Sequence, residues 1–368
     1  LSSIIREQNM AFTVDNAELE HVSAFDPAKS GRKAVSQLPL IDLSPFRPGG
    51  SLQERRATAA AIRQACIDIG FFYVTGHGFS AEELDESLDW GHRFFELPLE
   101  AKMRYAAKNS SASLGFIQTG GLNPEANKDT RVDLKERFYA SRELAPGEVV
   151  DETSPAGRSQ WPEEDVLAGF TAFMKAQTRR KVALAKLVCR AFSASLGLPE
   201  EELVDFHDRM GCINSLNYYP ATPPGQEPNW GFSPHSDYGS FTILVQDRSG
   251  GLEARNADGE WVAIPPIPGT MVVNVGDLLQ RWTNDVFVSS LHRVLNRGTD
   301  ARMSISFFVY ANPRAEIACL DTCKSADRPE RYPPFVSGEY IKELLTQYYV
   351  TGRTGVSERT AERLKERD

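Results

Sequence analysis

The chain has 368 residues, 41% of them apolar and 25% charged, with 41 basic against 50 acidic side chains and a formal net charge of −9. This is ordinary globular composition, and the length is enough to bury a large core without disulfides or structural metals. The acidic balance excludes the basic stripe of a nucleic-acid binder and argues against an anionic membrane surface, although a local Arg or Lys could still receive an anionic substrate.

Residues 1–37 are polar and weakly patterned and read as an arm, with Met10 a candidate start. Leu38–Asp42 (LPLID) reads as a strand. Leu52–Ile69 is rich in helix formers and stops at Gly70. Phe71–Thr75 (FFYVT) is aromatic and β-branched, as strands are. A Gly76-His77-Gly78 turn follows, then helices over Glu82–Phe95 and Glu100–Lys108. Residues 109–131 are polar and glycine-rich, a long loop of the kind that rims a pocket. Trp161-Pro162 opens a long helix with its proline at a tolerated position. Its apolar face carries Leu184, Leu187, Val188, Ala191 and Phe192, and Gly197 ends it. A short helix spans Pro199–Arg209.

After Gly211 short β-rich runs alternate with turn residues. Strands are expected over Asn214–Tyr219, Ser240–Gln246, Gly251–Arg255, Trp261–Ile264, Met271–Val275, Ser289–Leu295 and Arg302–Tyr310. Such spacing indicates a sandwich or barrel. Glu339–Tyr349 reads as a closing helix. No linker separates the halves. Residues 38–350 therefore read as one domain: 38–210 mainly helical, 211–315 the β-core, 316–350 a closing segment, and 351–368 a charged tail.

The cysteines, Cys66, Cys189, Cys212, Cys319 and Cys323, are odd in number and form no CxxC pair. Reduced thiols in the cytoplasm fit better than a disulfide framework or a zinc knuckle. No run approaches ~18 apolar residues, so no membrane span is expected. No charged stretch followed by an apolar run marks a secretory leader.

The chemistry concentrates in Ser233-Pro234-His235-Ser236-Asp237-Tyr238-Gly239. In extended backbone, residues two apart point the same way, so His235 and Asp237 can share a metal. His292, in SSLHRVL, supplies a third ligand from elsewhere in the fold. Two His and one carboxylate on one face of a metal leave open positions, the pattern of Fe(II) oxygenases, whereas structural zinc is closed by four protein ligands. Taken singly, an HxD tripeptide or a strand histidine also fits an ordinary core or surface residue. Arg302-Met303-Ser304 opens the strand RMSISFFVY. Met303, Ile305, Phe307 and Val309 share an apolar face. Arg302 and Ser304 share the other, where a guanidinium can grip a carboxylate with two parallel hydrogen bonds. Alone, Arg302 also fits a surface arginine on an edge strand.

The combination resembles the Fe(II)/2-oxoglutarate dioxygenases of the isopenicillin N synthase-like family. It comprises His235-x-Asp237, 54 intervening residues, His292 and Arg302-x-Ser304, together with LPLIDLS (38–44), GFFYVTGHG (70–78), FFELPLEAKMRY (94–105), NYYP (217–220) and VNVGDLLQRWTND (273–285). Residues 235–261 are similar to the fungal and bacterial members. The resemblance implies an α+β protein with a double-stranded β-helix (jelly roll) core flanked by N-terminal helices and a C-terminal helix. It implies Fe(II) on His235, Asp237 and His292. It implies 2-oxoglutarate chelated at the iron, with its far carboxylate on Arg302 and Ser304, Tyr219 bonding the same co-substrate, and Asn217 close by. The implied reaction uses O2, releases succinate and CO2, and oxidises an unactivated C–H bond of a small molecule, often in secondary metabolism. Hydroxylation is the usual outcome; desaturation and ring closure also occur in the family.

Three other readings stand beside this one. The first is an isopenicillin N synthase-type oxidase that does not use 2-oxoglutarate. The second is a jelly-roll binding protein with a vestigial triad. The third is a zinc hydrolase, which lacks an obvious general base nearby. Phe116, Ile117, Trp230 and Phe232 flank the expected pocket mouth, as substrate contacts or as packing. Lys135, Glu136 and Arg137 resemble a pocket segment of the family, while charge runs are commonly solvated faces. His77 reads as structural and His92 as interfacial or exposed. His21 and His207 carry no partner pattern. Asp247 and Asp277 read as turn residues, with Asp277 a candidate buttress of the site. The sequence leaves the oligomeric state open.

Overall fold

A serine three residues ahead of a glutamate opens each of the first two long helices. The structure is a computed structural model that describes residues 33–110, 112–118, 133–145, 147–149, 151, 153–154, 157–222, 229–296 and 300–351. The expected arm before residue 33, most of the 109–131 loop and the tail past 351 lie outside the described residues. Strand β1 (Leu40–Asp42) leads into helix α1 (Leu52–Asp68). The Ser51 hydroxyl accepts from the Glu54 N–H, and the Glu54 carboxylate accepts from the Ser51 N–H at 2.9 Å. This reciprocal cap satisfies two of the N–H groups a helix start leaves free. Strand β2 (Phe71–Thr75) follows, then α2 (Ala81–Phe95), capped in the same way by Ser80 and Glu83.

After α3 (Leu99–Met103) come β3 (Gly115–Ile117), β4 (Glu136–Ser141) and the long α4 (Phe170–Ser195). The expected opening of this helix at Trp161 is corrected to Phe170. Gly169 adopts φ +82°, a left-handed conformation that an α-helical run does not pass through. The short α5 (Glu202–Asp205) precedes the β-rich half. That half contains β5 (Gly211–Tyr219), β6 (Asn229–His235), β7 (Phe241–Gln246), β8 (Leu252–Arg255), β9 (Trp261–Ala263) and β10 (Met271–Val275). It continues through α6 (Asp277–Trp282), β11 (His292–Asn296), β12 (Arg302–Tyr310), β13 (Glu316–Ile317), β14 (Phe335–Val336) and the closing helix α7 (Ser337–Thr351).

The large sheet has the order β1-β2-β10-β7-β12-β5-β4-β3, antiparallel except for β1 with β2. A second sheet, β6-β11-β8-β9, lies against one face of it. This is the expected jelly roll with helices outside. Strand alternation divides the side chains. Met303, Ile305, Phe307 and Val309 of β12 join Phe72, Val74, Leu216, Ile243 and Val273 on the outer face. There they pack against α1, α2 and α4 in the main core. Phe71, Tyr73, Tyr219, Leu244 and Val272 point the other way and meet Leu252, Ala254, Val262 and Val294 of the second sheet.

Five strands were not foreseen: the two-residue β13 and β14 of the closing segment, and β3, β4 and β6. β3 sits inside the segment read as loop. β4 carries the Lys135–Arg137 region read as a charge run. β6 contains Gly231 and Pro234, which mask any strand pattern. No helix among the described residues is long and apolar enough to cross a membrane.

One buried charge stands out in the helix–sheet core. Lys181 of α4 is 2% exposed, and its ammonium donates to Asn214 Oδ1 at 3.2 Å. Burial lowers its pKa to about 7. Between about 7 and its ordinary 10.5, the unfolded chain holds a proton that the folded chain has released. Wild-type stability therefore rises with pH across that window and lacks this contribution below it. Lys181→Met removes the dependence. In urea unfolding, the stability of the variant relative to wild type is expected to be greater at pH 7 and to fall toward pH 9, by about 1.4 kcal/mol per unit at most. A pH-independent difference would show that Lys181 keeps its proton in the core.

Candidate metal centre

His235 ends β6 and His292 begins β11, and the two residues pair across the antiparallel ladder of the second sheet. Their rings lie 4.1 Å apart between centroids. Asp237 follows two residues after His235, in the loop that returns the chain to the large sheet. All three are 7% exposed, and one donor atom from each lies within 4.8 Å of the others.

The hydrogen bonds decide which atoms face inward. His235 Nδ1 lies 2.8 Å from the Ser233 carbonyl, and His292 Nδ1 lies 3.2 Å from the Ser290 carbonyl. Each carbonyl holds the proton on Nδ1 and leaves the Nε2 lone pair free, the tautomer a metal needs. The two Nε2 atoms point at Asp237 Oδ1 from 3.9 and 3.7 Å. The other carboxylate oxygen, Oδ2, accepts from Thr242 Oγ1 at 2.6 Å and Asn274 Nδ2 at 2.7 Å. Oδ1 is thus the oxygen left for a cation. Burial, with His292 and then Lys135 adding to it, holds His235 well below the usual imidazole range, so its ring is neutral and ready to ligate. This donor set fits a divalent metal with open coordination positions.

The loop around Asp237 is held from behind. Asp277 N–H donates to the Asp237 carbonyl at 2.7 Å, and Leu278 N–H to the Gly239 carbonyl at 3.2 Å. Ser236 Oγ donates to the Asp277 carboxylate at 3.0 Å. A Cβ on Gly276 would sit 2.2 Å from the Gly239 oxygen, so only glycine permits this approach. Phe71 meets the His292 ring edge-on at 5.2 Å.

Arg302 is 1% exposed. Its strand is flanked by β5 and β7, so the edge-strand alternative does not hold. Its Nε donates to the Gly250 carbonyl at 2.6 Å, one Nη to Ser304 Oγ at 3.2 Å and the other to Gln246 Oε1 at 3.3 Å. The guanidinium carbon lies 4.8 Å from the Tyr219 ring centre. Asn217 stands opposite Ser304 in register, bonded to Ser215 and Ser306. Arg302, Ser304, Tyr219 and Asn217 therefore share the inward face with the triad.

Among the residues expected at the pocket mouth, Phe232 stacks on the His235 ring at 3.7 Å. Ile117 pairs in register with Arg137 on the inward face. Phe116 faces the opposite side of the sheet, packed 6.2 Å from Phe94 in the outer core, so its pocket placement is corrected to packing. The Trp230 side chain lies outside the described residues. Of the two readings of Lys135–Arg137, the solvated face does not hold for Lys135 and Arg137, which are 4% and 7% exposed.

His77 is buried, its Nε2 3.0 Å from the Gly269 carbonyl, in keeping with a structural role. His207 is buried against Ser240 Oγ at 3.0 Å, and Asp247 accepts the Ser249 N–H of its turn. Thr242 and Asn274 went unnoticed in the sequence. The one available signal was a lone amide among the valines of MVVNV.

Asn274→Ala removes one of the two donors that orient Asp237. Calorimetric titration with Fe(II) under argon is expected to show affinity reduced by about 10–100-fold with the fold intact. Unaltered affinity would mean that Thr242 alone suffices.

Known proteins resemble this chain over most of its length. Residues 38–164 match the family described as non-haem dioxygenase in morphine synthesis N-terminal, and residues 210–310 match the 2OG-Fe(II) oxygenase superfamily. The chain is 31% identical over 332 residues to the 2-oxoglutarate-Fe(II) type oxidoreductase ppzC of Metarhizium majus, covering 84% of this chain and 87% of that one. It is 29% identical to a homoarginine-6-hydroxylase of Oryza sativa subsp. japonica, over 84% of this chain and 97% of the relative. Among solved structures, a full-length Neurospora crassa protein in complex with alpha-KG and thymine superposes with a TM-score of 0.74 at 29% identity, covering 87% of this chain and 100% of that one. A 2OG-Fe(II) oxygenase family protein of Caulobacter crescentus gives 0.75 at 27%, covering 85% and 99%. The chain belongs to the 2-oxoglutarate–Fe(II) oxygenase superfamily, in its isopenicillin N synthase-like branch, and is a 2-oxoglutarate-dependent dioxygenase acting on a small molecule.

Proposed function

We propose that His235, Asp237 and His292 hold the iron, that Arg302, Ser304 and Tyr219 receive the far carboxylate of 2-oxoglutarate with Asn217 beside them, and that the reaction hydroxylates an unactivated C–H bond. One observation carries this reading. Arg302 is a fully buried cation whose named partners are all neutral, and among the described residues no carboxylate pairs with it. Burying a guanidinium without a counter-charge is costly, and a dianionic co-substrate supplies that charge on binding. When bound, the iron couples decarboxylation of 2-oxoglutarate, to succinate and CO2, with oxidation of the substrate by O2.

The protein's own part is positional. Thr242 and Asn274 keep Asp237 turned so that one oxygen faces the two imidazoles. Gly250, Ser304 and Gln246 hold the Arg302 fork in place before any ligand arrives, so little ordering remains to be done on binding. Tyr219, 2% exposed, is positioned to add a hydroxyl to the same carboxylate and, with Leu244 and Val294, to keep water away. Residues 38–350 act as one catalytic unit in this reading, since α1, α2 and α4 pack directly on the sheet that carries Arg302 and Asn274. The vestigial-triad and zinc-hydrolase readings are set aside: a binding module has no use for a buried, unmatched Arg302 beside an intact triad. The five unpaired cysteines support work in a reducing compartment such as the cytoplasm.

The test is an anaerobic titration with Fe(II) and then 2-oxoglutarate, watching for the visible charge-transfer band of a chelated keto acid. Wild type is expected to form the band and His235→Ala to lose it. Arg302→Met should weaken 2-oxoglutarate by about 30-fold or more while leaving iron affinity unchanged, because a buried charge pair loses one partner. A band that forms equally well in Arg302→Met would assign the guanidinium elsewhere.

A further inference from the structure

The inward face of the large sheet continues past the Arg302 site. In register across it lie Ser304 of β12, Asn217 of β5, Arg137 of β4 and Ile117 of β3. Arg137 therefore faces the same side as the co-substrate residues. Lys135, two residues earlier, shares that side. Glu136, between them, points the other way and pairs with Lys102 at 2.7 Å. The charge run is thus divided by the sheet, with both cations sent inward.

Lys135 is the more telling of the two. It is 4% exposed, and among the described residues its ammonium has no hydrogen-bond partner. It lies over the ring of Phe232, and Phe232 stacks on His235, so one aromatic ring separates the charge from a metal ligand. The nearest acid is Asp133, with Oδ2 at 3.4 Å. The other oxygen of Asp133 already accepts the Ser233 N–H at 2.8 Å and so ties that acid to β6. Arg137 donates to the Tyr139 hydroxyl at 2.7 Å and presents its charge on the same wall. A buried ammonium with no hydrogen bond is costly to hold. Burial accordingly holds Lys135 well below the usual lysine range, and an anionic ligand beside it would restore the charge.

2-Oxoglutarate is not that ligand. In the site proposed above, its two carboxylates are answered by the metal and by Arg302. We propose that the substrate itself carries a carboxylate, received by Lys135 and Arg137 beside the His235–Phe232 stack, with Ile117 and Phe232 against its apolar body. A local pair of cations then selects an anion in a chain whose overall charge is −9. A planar guanidinium beside an ammonium suits a carboxylate, which can take two parallel hydrogen bonds from the first and a third from the second. This inference rests on the metal and co-substrate reading, and its test keeps the two apart.

The probe is a library of small carboxylic acids, amino acids included, each paired with its primary amide. The enzyme is loaded anaerobically with Fe(II) and 2-oxoglutarate. Each compound is scored by its perturbation of the charge-transfer band and then, with O2 admitted, by stimulated succinate release. Acids are expected to perturb the band and their amides to fail. Lys135→Met and Arg137→Met should each weaken the active acids by about 30-fold or more. Lys135→Arg should recover part of that loss.

Results with the library that would overturn the proposal are amides that act as well as acids, acids that bind both Met variants as tightly as wild type, and a library in which no acid registers. Loss of the band itself in Lys135→Met would also overturn it, by assigning the lysine to the co-substrate. A wild-type enzyme that forms no band with Fe(II) and 2-oxoglutarate would instead strike the underlying site reading, and is recognised before any acid is added.

Discussion

Everything in this site depends on the divided carboxylate of Asp237. One oxygen is claimed by Thr242 and Asn274 of the large sheet, and the other faces two imidazoles carried by the second sheet. A carboxylate has acceptor sites to spare, and leaving any of them unmet in a buried place is costly. The protein meets half of them with its own donors and leaves the remainder for a cation. A single side chain so joins the two layers of the jelly roll at the point where they must stay in register. The helix start at Asp277 and Leu278, which grips the Asp237 and Gly239 carbonyls, makes that loop an extension of the sheet edge rather than a free connection.

The same inward face carries three buried basic side chains, Arg302, Lys135 and Arg137, 1%, 4% and 7% exposed. A net-acidic chain gathers basic side chains on one buried face, and low local polarity makes any charge there count for more. The outer face of the sheet shows the contrast. There the alternating residues are Phe, Ile, Val, Leu and Met, packed against helices, and the ring of aromatics around Phe94 and Phe170 holds the helical half to the sheet. The stable side and the reactive side are the two faces of the same strands.

The strand β12 was legible in full. Its alternation, RMSISFFVY, separated an apolar face from a functional one, and the structure bears out both its boundaries and its faces. The candidate metal triad was legible because a short HxD spacing and a distant histidine form a pattern in one dimension. β4 and β6 were not. A charge run and a Gly/Pro-containing segment carry no periodic signal, and their strand state comes from neighbours, β5 for one and β11 for the other. Phe116, read as a substrate contact or as packing, could not be resolved for a related reason. With its strand unrecognised, the two-residue alternation that sends it outward could not be applied.

What the sequence determined by itself was the chemistry: which residue types are present, their spacing, and the alternation that makes His235, Asp237, His292, Arg302 and Ser304 a set. These are local properties, readable because a strand points alternate residues to opposite sides. What only the tertiary structure decided was environment. Whether Arg302 lies at an edge or in the middle of a sheet, whether Lys135 is solvated or sealed over an aromatic ring, and which oxygen of Asp237 remains free all depend on strands far apart in the chain. Burial and hydrogen-bond partnership are properties of the assembled layers, and no stretch of sequence contains them.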